Sequence, residues 1–121
     1  MLVVTLTRSW MHRRLWLNDP DCLMLRTTAT DLRPAEVELW AQAVAASGGM
    51  ALVSDDLALL DEASRRLLDE VLAVGREVDA AAVAGLTPRC PELLDEATPT
   101  TLVAPGRAPG QATVVSRTSV R

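Results

Sequence analysis

Leu15-Trp16-Leu17-Asn18-Asp19-Pro20-Asp21-Cys22-Leu23-Met24-Leu25-Arg26 is the stretch on which the fold turns. Its first three residues are apolar with no polar face, the pattern of a short strand covered on both sides in a parallel sheet. Asn18 to Asp21 then stop that run. Pro20 fixes φ, lacks an N–H and biases Asp19 towards extended geometry, so an amide and two carboxylates sit on a stiffened turn. In parallel α/β folds such a turn, at the carboxyl end of a strand, is where chemistry is placed. The bland alternative is an Asx turn whose side chains serve only their own backbone.

The same plan recurs downstream. Cys22 to Arg26 is a second short apolar run, and a polar loop from Thr27 to Arg33 follows it. Asp31 as a cap, Pro34 in the first turn and Glu36 and Glu38 near the amino end predict a helix start. Val37, Trp40, Ala41, Val44 and Ala45 recur at helical spacing, and Gly48 and Gly49 end the stripe. Met50 to Val53 is a further apolar run, predicted as a strand parallel to Leu15–Leu17, and it too runs into acid at Ser54, Asp55 and Asp56. Leu60, Ser64, Leu67, Leu68 and Val71 then mark a second helix, with Asp61–Arg65 and Glu62–Arg66 as i,i+4 pairs and Gly75 at its end.

Strand, acidic loop and helix, taken twice, predict an α/β fold of two consecutive βα units with parallel strands and a right-handed crossover. Both acidic loops would then share one rim. Before these units, residues 1–14 carry both strand propensity and helical spacing, and a helix from about Thr5 to Arg13 is the better fit. The chain divides into residues 1–76, holding the two units, and 77–121, a linker and β region. In the second part Thr100 to Ala104 and Gln111 to Val115 are predicted to form a hairpin around a Pro- and Gly-rich turn.

Composition narrows the function classes. The chain has 121 residues, the size of one small domain and well short of the about 250 that a complete (β/α)8 barrel needs. Three Trp are its only aromatic residues, so the core must come from Leu, Val and Ala. A net charge of −4 gives no basic footprint for nucleic acid, and His12, Arg13 and Arg14 form a lone basic knot that reads as a solvated helix end. No apolar run approaches the ~20 residues that span a membrane. Cys22 and Cys90 match no metal or redox spacing and read as reduced thiols of a cytoplasmic protein. No cofactor or metal is expected.

RSWMHRRLWLNDPDCLMLR at residues 8–26, followed by SGGMALVSDDLALL at residues 47–60, resembles the carboxyl-terminal part of the catalytic barrel in α-galactosidase-type enzymes of glycoside hydrolase family 36, with family 27 carrying a similar turn. The resemblance covers roughly Thr7 to Gly75. It implies that the two units are the seventh and eighth of a (β/α)8 barrel and that an α-galactoside is the ligand of the full-length relative. It further implies that Asn18, Asp19, Asp21, Asp55, Asp56 and Trp16 line the sugar pocket. Family members hydrolyse with retention through a nucleophile and an acid/base. Their K-x-D nucleophile motif is absent here, since the chain has no lysine, so no catalytic residue is assigned and the chain is expected to be inactive alone. Open strand edges would favour self-association. The alternative is a non-catalytic α/β interaction or structural module.

Overall fold

Pro34–Ser47 forms the helix around which the other elements pack (α2). A computed structural model of the protein describes residues 2–95 and 101–105 and the backbone of 113–114. The α2 helix opens with Pro34 in its first turn, and Glu36 reaches back to accept from the Arg33 N–H at 2.8 Å, half of a capping box. Arg33, not Asp31, therefore holds the cap position. Gly48, at φ 69°, ends the helix in the left-handed conformation.

Two faces of α2 are buried, which suits its run of small residues. Val37, Ala41, Val44 and Ala45 join Leu23, Leu25, Leu60 and Val71 in one core cluster. Ala43 and Ala46, on the other side, join Leu6, Cys90 and Leu102 in a second. Leu6 comes from α1 (Leu2–Arg8), which continues into a 3-10 turn at Ser9–Met11. Seven residues are too few for a helix to be stable alone, so α1 depends on this packing. The core is Leu, Val and Ala with one Cys, as the scarcity of aromatic residues requires.

The third helix, α3 (Glu62–Val83), is capped by Asp61, whose Oδ1 accepts from the Ser64 N–H at 2.8 Å and whose Oδ2 accepts from the Thr27 hydroxyl at 3.0 Å. These bonds hold the Asp61 carboxyl below its ordinary pKa. Asp61 thus serves as cap, while Glu62 and Arg66 form the surface pair at 3.3 Å. Gly75 lies inside the helix, and the end comes at Ala84 and Gly85, the latter at φ 89°. Val78 and Ala82 extend the buried stripe past Gly75, and the alanines around them are strong helix formers. Asp61→Ala is expected to lower the melting temperature and Asp61→Asn to retain most of it, because Asn is an equally good cap. Equal thermal melts for the two variants would contradict the capping role.

The predicted partial (β/α)8 barrel is not what the chain forms. The described residues are mostly helical, with three α-helices and little strand. Leu15, Trp16 and Leu17 are 63%, 49% and 56% exposed, where a doubly covered strand would be buried. Their run is drawn into a tight local turn, with the Arg13 N–H donating to the Trp16 carbonyl at 2.7 Å and Arg13 itself at φ 56°. Residues 18–23 and 50–54 do lie side by side. Met50 N donates to Asn18 O at 2.9 Å, Leu23 N to Leu52 O at 2.6 Å and Ser54 N to Leu23 O at 3.1 Å, but this yields one isolated parallel bridge, Leu23 to Val53. Between the contact points Pro20 has no N–H to give and Asp21 turns the chain at φ 84°, so no continuous ladder forms.

Beyond α3, Arg89 bridges Val103 antiparallel, and Thr101–Leu102 (β1) pairs antiparallel with Thr113–Val114 (β2) in the register Thr101 to Val114. The predicted turn between those strands lies outside the described residues. Among the described residues, no helix is long and apolar enough to cross a membrane.

Candidate functional site

A buried polar network fixes the Asn-Asp-Pro-Asp turn in space. His12 is 1% exposed, and its Nδ1 accepts from the Asn18 backbone N–H at 3.1 Å. The ring proton therefore sits on Nε2, 3.0 Å from Asp79 Oδ1 on α3, and donates to it. Arg13 grips the same carboxylate with Nε at 2.7 Å and Nη2 at 3.0 Å. With two donors on it, Asp79 is held down to a pKa of about 2, and the paired Arg13 is raised. The Asn18 side chain, also buried, donates from Nδ2 to Ser9 O at 3.2 Å and to Ser47 O at 3.3 Å. One residue thus ties the end of α1, the carboxyl end of α2 and the acidic turn together.

Histidine with aspartate resembles a general-base pair, but here both ring nitrogens are occupied and the ring is enclosed. His12 has no free lone pair to offer a substrate, so it positions rather than reacts. Of the predicted solvated basic knot, Arg13 and Arg14 are exposed as expected, while His12 is buried and, with Arg13, cross-links this turn to Asp79 on α3.

Above the network lies a concavity of about 400 Å³ lined by Val4, Thr5 and Arg8 of α1 and by residues 16–21. It brings together four of the six residues singled out in the sequence, Trp16, Asn18, Asp19 and Asp21. Asp19 Oδ1 accepts from the Asp21 N–H at 3.1 Å, and Asp21 Oδ1 from the Cys22 N–H at 2.7 Å. Each carboxylate thus spends one oxygen on its own turn while the residue stays exposed. Trp16 is half-exposed and lies on the wall.

Asp55 and Asp56 are placed elsewhere. The Asp55 side chain is fully buried, with Oδ2 accepting from the Leu25 N–H and Oδ1 3.7 Å from Arg26 Nε. Among the described residues, neither Asp55 Oδ1 nor Arg26 Nε has a hydrogen-bond partner. Asp56 starts the 3-10 turn Leu57–Leu59 by accepting from the Ala58 N–H at 2.9 Å. Neither residue lines the concavity.

Sequence reasoning missed Arg8 and Asp79. The cue for Asp79 is slight: it is an acid isolated in the apolar run Val78 to Val83, on a helix facing a His-Arg pair far away in sequence. Among the described residues no three His, Cys, Asp or Glu side chains come close enough to hold a metal ion. No protein-family model matches the chain.

Proposed function

We propose that the chain presents a sugar-binding surface of the α-galactosidase type without the hydrolytic chemistry. The observation that carries this reading is the convergence of Trp16, Asn18, Asp19 and Asp21 with Arg8 on one concavity. A hexose offers hydroxyls that both donate and accept, and an apolar C–H face. Exposed carboxylates accept from those hydroxyls, a guanidinium donates to them, and an indole covers the C–H face. The proposal rests on this site and on the resemblance of residues 8–26 and 47–60, not on a barrel.

Cleavage asks for more than binding. Retaining hydrolysis uses two carboxyl groups about 5–5.5 Å apart across the bond, one protonated and one ionised in a partly dry pocket. Asp19 and Asp21 are exposed to water and tied to their own turn. A cytoplasmic location belongs to the same proposal and is supported by two free thiols, Cys22 and Cys90.

Titration with methyl α-galactoside, followed by NMR, is expected to shift the Trp16 indole and the Asp19 and Asp21 amides with a millimolar Kd. Asp19→Asn and Asp21→Asn should each weaken binding about threefold to tenfold, about 0.7–1.4 kcal/mol, the part of a charge-assisted hydrogen bond lost when a neutral amide oxygen replaces the carboxylate. No nitrophenol should be released from nitrophenyl α-galactoside. Shifts no larger than those caused by equal glycerol would refute the sugar reading.

A second reading, self-association, is favoured by Leu15 and Leu17, just before the 18–23 segment, and by Met50 and Leu52 on the segment hydrogen-bonded to it, all 44–63% exposed. Sedimentation velocity should then show concentration-dependent association that Leu15→Gln and Leu52→Gln suppress. A single monomer boundary across the concentration range would exclude it.

A further inference from the structure

A separate cavity, of about 310 Å³, opens where the carboxyl end of α3 meets the turn after α1 and the chain leaving β1. Arg14, Arg89 and Thr87 line it, and no described Asp or Glu is on its wall. Among the described residues neither arginine side chain has an ion-pair or hydrogen-bond partner, although acids outnumber bases in this chain by 16 to 12. Beyond Pro105, which is on the same wall, the sequence holds three further Arg and no acidic side chain that could neutralise the pair.

The backbone that carries these groups is fixed. The Arg89 N–H donates to Val103 O at 2.9 Å and its carbonyl accepts from the Val103 N–H at 2.8 Å, so only the side chain is left for the cavity. Pro88, fully buried, pins the same segment, and the Arg14 N–H is held on Met11 O at 3.0 Å. At the end of α3 the Gly85 N–H donates to Ala82 O and the Leu86 N–H to Ala81 O, both at 3.0 Å, a Schellman closure with Gly85 at φ 89°. These carbonyls are satisfied by backbone and do not call for an arginine. Two guanidiniums and a hydroxyl, all able to donate, match an anion with two charges and several acceptor oxygens. Leu86 adds apolar wall, and the volume is at the lower end of that for small organic ligands. We infer that this cavity binds a phosphate dianion, as inorganic phosphate or as the phosphate group of a small monoester. The inference is independent of the sugar-binding reading, since the two cavities share no described lining residue.

Amide NMR of the full chain, in a phosphate-free buffer at fixed ionic strength, tests it with inorganic phosphate, phenyl phosphate and benzoate. Both phosphates should shift the Leu86, Thr87 and Arg89 amides with a millimolar Kd, and benzoate, with one charge, should bind at least about threefold more weakly than phenyl phosphate. Tighter binding of phenyl phosphate assigns a monoester as the ligand, and equal binding assigns free phosphate. Arg14→Gln and Arg89→Gln should each weaken phosphate binding about threefold to tenfold, as for a charge-assisted contact open to water. Arg66→Gln, which removes an exposed cation that does not line the cavity, should change it by less than about 1.5-fold. Arg14 and Arg89 are exposed, so their variants keep the fold, as circular dichroism would show. Absence of saturable shifts with either phosphate overturns the inference and leaves the two arginines as counter-charges to the carboxyl end of α3. Benzoate binding as tightly as phenyl phosphate, or an equal loss in Arg66→Gln, overturns it as well, by reducing the effect to unspecific attraction.

Discussion

Gly49→Ala is expected to lose about 3 kcal/mol of stability or more and to melt about 10 °C or more below the parent chain. A Cβ at this position would lie 2.1 Å from the Asn18 carbonyl oxygen and 2.6 Å from its carbonyl carbon. Neither atom can retreat. The oxygen accepts from the Met50 N–H at 2.9 Å, the Asn18 N–H is held on His12, and the Asn18 side chain is held on Ser9 and Ser47. Relief requires moving the acidic turn off the end of α2, which breaks several buried hydrogen bonds together. Against a total stability of about 5–15 kcal/mol, that is a large fraction. Gly75→Ala is the matched control. Its Cβ would meet nothing nearer than Ala45 O at 4.0 Å, so within α3 it should be neutral or stabilise by up to about 1 kcal/mol. Thermal melts of the two variants that differ by less than about 1 kcal/mol would refute the close contact at Gly49.

Asp79→Ala is expected to cost about 1–3 kcal/mol near neutral pH, chiefly because it leaves the buried His12 Nε2–H without an acceptor. The accompanying loss of the Arg13 grip adds little, since that side chain is 37% exposed and screened by water. The contribution of Asp79 depends on pH in a definite sense. Its folded pKa, about 2, lies below the ordinary carboxylate value near 4, so the folded protein binds this proton less readily than the unfolded chain does. The stabilisation is therefore complete above about pH 4 and is lost as pH falls through about 2. Urea unfolding of parent and Asp79→Asn chains from pH 6 to pH 2 should show curves that converge at the acid end. A difference that stays constant across that range would show that the ionised carboxylate is not what holds His12 and Arg13.

Much of the helical scaffold was legible in residue spacing. The stripes of α2 and α3, the stop at Gly48 and the Glu62–Arg66 pair are local features, settled within a few turns of the chain. The grouping of Trp16, Asn18, Asp19 and Asp21 was legible for a similar reason: six consecutive residues on a proline-stiffened turn have little room to separate. Gly75 misled because a glycine ends a helix only where the chain needs a positive φ, and that need arises at Gly85.

Composition and local pattern by themselves determined three things: two helices, a core of Leu, Val and Ala, and an acidic turn at residues 18–21. Tertiary structure alone decided whether the apolar triplet at residues 15–17 is buried, because an apolar run becomes a strand only when neighbouring backbone pairs with it. Here Pro20 and the left-handed Asp21 limit that pairing to a single bridge at Leu23 and Val53. Tertiary structure also decided which acids face solvent. Asp55 is enclosed beside Leu25, while Asp79 meets His12 and Arg13 across 66 or 67 residues of chain. Ionic partners so distant are chosen by how α3 packs on α2, and no local spacing of residues carries that information.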